Sequence, residues 1–108
     1  MRDYSNDKSL AHVIVAITAL SFKFEHIDAF DRKLTDHQTV LLRQLAMYLL
    51  NTSYNFNKTR IGRVFGKDRT TVAYACQQIE DRRDNETFDD KLIRIEQSLD
   101  AMSELLCA

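Results

Sequence analysis

Hydrophobic residues recur along most of this chain at spacings of three and four, which is the period of an amphipathic α-helix. Pro is absent and Gly occurs only twice, at Gly62 and Gly66, which leaves few turn residues for a β-rich fold. We therefore predict an all-α fold, a compact bundle of about six helices in one domain, residues 1–108. The predicted helices cover residues 7–22, 25–30, 37–52, 58–65, 69–84 and 87–106.

The apolar residues also predict which face of each helix turns inward. The first helix has an apolar face formed by Leu10, Val13, Ile17 and Leu20. The third is apolar over more than one face, which predicts a central position, and Arg43 and Gln44 predict that one edge reaches solvent. The C-terminal amphipathic helix, residues 87–106, carries a stripe of Phe88, Leu92, Ile95, Leu99, Met102 and Leu106. This stripe spans only about three heptads, so packing on the core is favoured over a coiled-coil dimer.

A helix-turn-helix unit is predicted over residues 57–83. Asn57 and Asp68 suit the N-caps of its two helices, and Gly66-Lys67 suits the turn between them. The inward face of the second helix is predicted to hold Val72, Ala75, Cys76 and Ile79, and the outward face Arg69, Thr70, Ala73, Tyr74 and Gln77. Such a unit can place its second helix in the major groove of DNA, although the same geometry occurs in modules that bind only protein.

Charge is distributed unevenly along the chain, although the formal net charge is only −1. Residues 43–83 hold eight Lys or Arg against three Asp or Glu, a net charge of +5, whereas residues 84–108 hold two against seven, a net charge of −5. The middle block alone has the charge to neutralise phosphates. The acidic C-terminal part is expected to face away from DNA.

The residue types at the start of the second helix suit contacts with base edges. Arg69 can donate two hydrogen bonds to guanine, and Thr70 can contact a thymine methyl or a phosphate. Asp68 can accept from the cytosine amino group or cap the helix, and Tyr74 can stack on a sugar or pack against a neighbouring helix. Five cations surround this position and could hold the DNA backbone: Arg43, Lys58, Arg60, Arg63 and Lys67.

Four motifs stand out in order along the chain: residues 43–49 (RQLAMYL), Ile61-Gly62, Phe65-Gly66 and residues 68–79 (DRTTVAYACQQI). In their order and spacing they resemble the C-terminal, origin-box-binding domain of the bacterial replication initiator DnaA, and the clear resemblance covers residues 43–99. The fold that this implies is the helix-turn-helix bundle of the DnaA C-terminal domain, which is similar to that of the Trp repressor.

The resemblance implies binding to a short duplex box. It places Asp68, Arg69 and Thr70 at base-reading positions and Thr71 at a base or backbone contact. It places four further residues near the DNA backbone: Arg43, Gln44, Lys58 and Thr59. The positive charges of Arg63 and Lys67 suit the same role.

Three departures from the family pattern change what is expected of the target. The family usually has His where this chain has Arg69, which predicts a changed base preference, toward guanine. The turn Gly66-Lys67 is one residue shorter than the common form. The family's strongly basic loop before the third helix is replaced by residues 32–37 (RKLTDH), which give little support for a minor-groove contact.

Other classes of function lack support in the sequence. No G-x-x-x-x-G-K-[ST] phosphate loop, catalytic constellation or metal-ligand spacing occurs, so we expect no ATPase module, no enzyme activity, no metal and no cofactor. No apolar run is long enough to span a membrane, which argues against a membrane protein. The chain has two lone cysteines, Cys76 and Cys107, which favour a cytoplasmic protein, and we expect it to be nucleoid-associated.

We therefore predict a free-standing, sequence-preferring protein that binds double-stranded DNA at origin or promoter boxes and regulates replication initiation or transcription in a bacterium or its phage. The alternative is an adaptor that uses the same fold to bind a replication initiator or another protein of the replication machinery. The sequence leaves open the target sequence, the direction of regulation and the oligomeric state.

Overall fold

The described part of the computed structural model, residues 5–24 and 28–107, contains five α-helices and no strand. They are α1 (Ser5–Phe22), α2 (His37–Tyr54), α3 (Lys58–Phe65), α4 (Arg69–Arg82) and α5 (Glu86–Cys107). The all-α prediction is confirmed, with five helices instead of about six. The predicted short helix at residues 25–30 is not among them: residues 28–30 form a turn, and residues 25–27 lie outside the described residues.

Helix α2 is the centre of the bundle, as its apolar sequence predicted. Leu42, Leu45, Leu49 and Leu50 are fully buried, and all four other helices pack on α2. The helix begins where the Asp36 carboxylate accepts hydrogen bonds from the backbone N–H and the hydroxyl of Thr39, at 3.1 and 2.7 Å. It ends at Asn55, whose left-handed backbone (φ 59°) turns the chain toward α3.

Helix α1 turns a different face inward from the one predicted. Ala11, Ile14 and Thr18 are fully buried, whereas Val13 is 41% exposed and Leu20 is 79% exposed. Apolar residues occupy nearly every position between Leu10 and Leu20, so the helix could present more than one face to the core. The predicted face was therefore wrong at Val13 and Leu20, whereas Leu10 and Ile17 pack partly against the core as predicted.

Helix α5 packs on the bundle through the predicted stripe. Leu92, Ile95 and Leu99 are buried, and Phe88 packs partly against the core. The side chain of Leu106, the last residue of the predicted stripe, lies outside the described side chains. The N-terminal half of α5 is further joined to the end of α4 by Arg83, whose guanidinium donates to the carboxylates of Asp89 and Glu96 and to the hydroxyl of Tyr48.

An ion pair fixes α1 to the start of α3. The Arg60 guanidinium donates two hydrogen bonds, of 2.8 and 2.7 Å, to the buried carboxylate of Asp7 and lies 3.5 Å from the centre of the Phe56 ring. Asp7 is only 5% exposed, so this pair is shielded from solvent on the carboxylate side. The sequence had grouped Arg60 with cations that could hold DNA, whereas its side chain has this intramolecular partner.

Candidate nucleic-acid interface

The turn between α3 and α4 depends on two glycines. Gly66 ends α3 in the left-handed region (φ 66°, ψ 37°), which glycine adopts without the steric cost that a Cβ adds. Gly62 allows close backbone approach, because a Cβ at this position would collide with the carbonyl oxygen of Lys67. The Lys67 N–H in turn donates to the Gly62 carbonyl at 2.9 Å, which closes the turn. The predicted Gly66-Lys67 turn is therefore present.

Helix α4 begins at Asp68, as predicted. The Asp68 carboxylate accepts a 2.8 Å hydrogen bond from the Thr71 N–H, and hydrogen bonds from Thr71 hold the pKa of this carboxyl below its ordinary value, with a smaller contribution from the charge of Lys67. The carboxylate therefore stays ionised, and caps the helix, throughout the neutral and mildly acidic range. Asn57 caps α3 in the same way by accepting from the Arg60 N–H at 2.8 Å.

Helix α4 exposes one long face to solvent and buries the opposite one. Val72, Ala75 and Ile79 are buried as predicted, and Cys76 is half-buried. We call the outward face the α4 ridge; its exposed side chains are Arg69, Thr70, Thr71, Tyr74 and Gln77, and Ala73 is half-buried beside them. The ridge therefore contains Arg69, Thr70 and Thr71 at its N-terminal end.

Two shallow grooves run along the sides of the α4 ridge. The α2–α4 groove, of about 100 Å³, lies toward the start of α2 and is lined by Gln44, Lys67, Thr71 and Tyr74 among others. The second groove, of about 350 Å³, lies toward the start of α3 and is lined by Lys58, Cys76, Gln77 and Glu80 among others. A protruding helix with a groove on each side has a shape that suits the major groove of DNA, where the phosphate backbones of the two strands would pass along its sides.

The predicted backbone-contacting residues are distributed around this ridge. Lys58, Thr59 and Arg63 are exposed on α3, and Lys67 is half-buried in the turn. Gln44 is half-buried on α2 and lines the α2–α4 groove. Five of the six predicted backbone contacts are therefore at least partly accessible to solvent near α4.

Arg43, the sixth, is placed differently from the prediction. Its side chain is only 8% exposed, so the predicted solvent-facing edge is wrong at this residue. Its Nε donates to the carbonyl of Ala29, and its Nη2 donates to the carbonyls of Asp31 and Leu34, at 2.9 to 3.1 Å. Because a buried guanidinium must satisfy its donors, these carbonyls account for its position inside the fold.

Arg43 thereby holds the connector of residues 28–36 beside the helix-turn-helix unit. Arg32, an exposed residue of this connector, lies 3.5 Å from the point that a Cβ on Gly66 would occupy. It is therefore a further cation next to the turn. The sequence placed Arg32 in the connector but gave no sign that the connector reaches Gly66.

Two further features, a metal-binding cluster and a membrane-spanning helix, are absent from the described residues. Across residues 5–24 and 28–107, no three His, Cys, Asp or Glu side chains are grouped so that they could hold a metal ion. In the same part of the chain, no helix combines the length and apolar character needed to cross a bilayer.

The geometry defines a helix-turn-helix protein, and comparison with known proteins specifies the family. The family model described as the bacterial dnaA protein helix-turn-helix matches residues 11–79. The chain therefore belongs to this family.

Three curated relatives show the same relationship over a shorter stretch. Chromosomal replication initiator protein DnaA 2 of Chlamydia pneumoniae is 47% identical over 47 residues, which are 44% of this chain and 10% of that protein. Chromosomal replication initiator protein DnaA of Thermodesulfovibrio yellowstonii is 40% identical over 52 residues, 47% of this chain and 12% of that protein. DnaA 2 of Chlamydia trachomatis is 48% identical over 42 residues, 39% of this chain and 9% of that protein. The matched stretch thus spans about a tenth of each relative.

Proposed function

We propose that this chain binds double-stranded DNA with a sequence preference, by placing the N-terminal half of α4 in the major groove. The observation that carries this proposal is the α4 ridge, where Arg69, Thr70 and Thr71 are all exposed at the N-terminus of a helix whose other face is buried. The major groove is about 12 Å wide and admits one helix, whose first turns reach the base edges. Family membership supports the same function.

The proposed roles follow from the position of each side chain. Arg69 and Thr70 read base edges, and Thr71 contacts a base or the backbone. Asp68 has its carboxylate engaged in capping, with free lone pairs that can accept from a cytosine amino group. The DNA backbone is held by Lys58, Thr59, Arg63, Lys67 and Gln44, and Arg43 supports the connector instead.

The role in the cell that we propose is control of replication initiation or of transcription at origin or promoter sites. The similarity to chromosomal replication initiators supports the first of these. In its specific form, the proposal is a regulator that lacks an ATPase module and is located with the nucleoid. We further propose that a replication initiator or other regulatory protein acts with it on DNA.

The test of DNA binding is a salt titration. The tightest duplex from a random-pool selection is titrated with the protein between 50 and 200 mM salt, and the logarithm of the association constant should fall linearly with the logarithm of salt, by about 0.9 per neutralised phosphate. A protein adaptor would bind no duplex, or would bind with a slope near zero. That result would overturn the proposal.

Two substitutions separate base reading from backbone contact. Arg69→Ala should relax the preference at one or two base pairs and lose about 1–3 kcal/mol of binding free energy at each. Lys67→Ala should instead weaken binding to all sequences alike and reduce the salt slope by about 0.9. Leu105→Ala, at an exposed residue of α5, is the matched control and should change neither. Unchanged affinity and preference in Arg69→Ala would refute the base-reading role.

A further inference from the structure

Tyr74 is a large side chain whose position the core does not explain. It is 62% exposed in the middle of the α4 ridge, although an aromatic ring usually gains stability from burial. Its hydroxyl has no hydrogen-bond partner among the described residues. Of the two roles that the sequence left open for Tyr74, packing against a neighbouring helix therefore loses support.

The surroundings of Tyr74 favour an anion. Tyr74 lines the α2–α4 groove together with Lys67 and Gln44, both half-buried, so three residues whose side chains can donate hydrogen bonds line it from three segments. Among the described residues that line this groove there is no Asp or Glu, whereas Glu80 lines the groove on the other side of α4. The α2–α4 groove is thus a place where donors converge without a carboxylate to repel negative charge.

The distance along the helix places Tyr74 beyond the base-reading turn. It follows Thr70 by four residues, which is about 6 Å of rise along the axis of α4. The N-terminal residues of a recognition helix reach the bases, so a residue one turn later on the edge facing α2 lies where a DNA backbone would pass.

We propose that Tyr74 contacts a phosphate of one DNA strand in the α2–α4 groove, with its hydroxyl donating to a phosphate oxygen between Lys67 and Gln44. This inference rests on the proposed DNA binding and adds to it a neutral backbone contact on the ridge itself. The contact fixes the depth and direction of α4 in the groove, because phosphate contacts set register and do not read sequence.

The test compares Tyr74→Phe with the wild-type protein on the selected duplex and on an unselected duplex of equal length. Removing only the hydroxyl should weaken binding on the order of 10-fold on both duplexes, since a hydrogen bond to a charged acceptor is lost. The salt slope should stay unchanged because a neutral donor releases no counterion. Leu105→Ala, the control on α5, should bind both duplexes as the wild type does.

The outcomes distinguish this inference from the proposed function. If Tyr74→Phe bound both duplexes with the affinity of the wild-type protein, the proposed function would stand and the Tyr74 contact would be overturned. A loss confined to the selected duplex would also overturn it, because it would show base reading.

A methylphosphonate scan then locates the contact. Each phosphate is neutralised in turn, and one position should weaken the wild-type protein while costing Tyr74→Phe nothing further. If every position weakened the two proteins equally, the phosphate assignment would be wrong.

Discussion

At the scale of single residues, the two glycines of the turn are required for different physical reasons. At Gly66 the strain of adding a Cβ would lie in the backbone, because the positive φ disfavours a side chain. The nearest side chain, that of Arg32, would be at an ordinary van der Waals distance from that Cβ. At Gly62 the backbone is helical, and the obstacle is the carbonyl oxygen of Lys67, which belongs to the main chain and cannot turn aside. The turn therefore depends more on a close approach than on an unusual dihedral angle.

This difference predicts the order of two substitutions. Gly66→Ala should destabilise the fold by about 1 kcal/mol, the cost of a left-handed residue with a Cβ. Gly62→Ala should cost more, about 2–3 kcal/mol, because α3 and the turn must move apart. Urea unfolding followed by circular dichroism measures both. As a control, Gly66→Asn should cost less than Gly66→Ala, since Asn tolerates the left-handed region better. The reverse order for the two Ala variants would contradict the geometry.

At the scale of elements, the connector of residues 28–36 depends on one side chain for its position. Arg43 reaches from α2 to three carbonyls of this segment, and Asp31 and Asp28 form tight local turns within it. The connector in turn lies against the helix-turn-helix unit through Arg32. We therefore expect Arg43 to act on the proposed interface indirectly, by holding the connector against the turn.

This role gives a prediction that separates positioning from phosphate contact. Arg43→Met should lower stability by about 2–3 kcal/mol, because buried carbonyls lose their donor, and should weaken DNA binding. The salt slope of the folded variant should stay at the wild-type value, since no phosphate-neutralising charge has been removed. The comparison is Lys58→Met, which removes an exposed cation on α3 and should reduce the slope by about 0.9. An equal reduction in Arg43→Met would restore the direct contact that the sequence predicted.

The elements also show why some features could be predicted from sequence and others could not. The caps at Asp36, Asn57 and Asp68 were predictable because each joins residues only three positions apart. The partners of Arg43 lie 9 to 14 residues away and are backbone carbonyls, which leave no mark in the sequence. The Asp7 partner of Arg60 is 53 residues away. Periodicity and residue type therefore predicted helices and caps, whereas the partners of Arg43 and Arg60 could be found only from the fold.

At the scale of the whole molecule, the opposite charges of the chain are carried by different parts of the bundle. The +5 block, residues 43–83, includes α3, the turn and α4 with its ridge, whereas the −5 block, residues 84–108, is almost entirely α5. Helix α5 packs chiefly on α1 and α2. We therefore expect the acidic surface of α5 to lie away from the duplex when the ridge enters it, so that repulsion between α5 and the phosphates is small.

Reversing charge on α5 tests this orientation. Asp100 and Glu104 are both exposed, so the double variant Asp100→Lys, Glu104→Lys replaces two negative charges by two positive ones without disturbing the core. At 0.15 M ionic strength the screening length is about 8 Å, and charges held away from the duplex should change affinity less than about twofold. The salt slope should also remain as in the wild type, because no new phosphate is neutralised. A steeper slope, with an affinity gain well above twofold, would place α5 against the DNA and would require a different face of the molecule to bind. Affinity measured over a range of salt concentrations on one duplex decides between the two orientations.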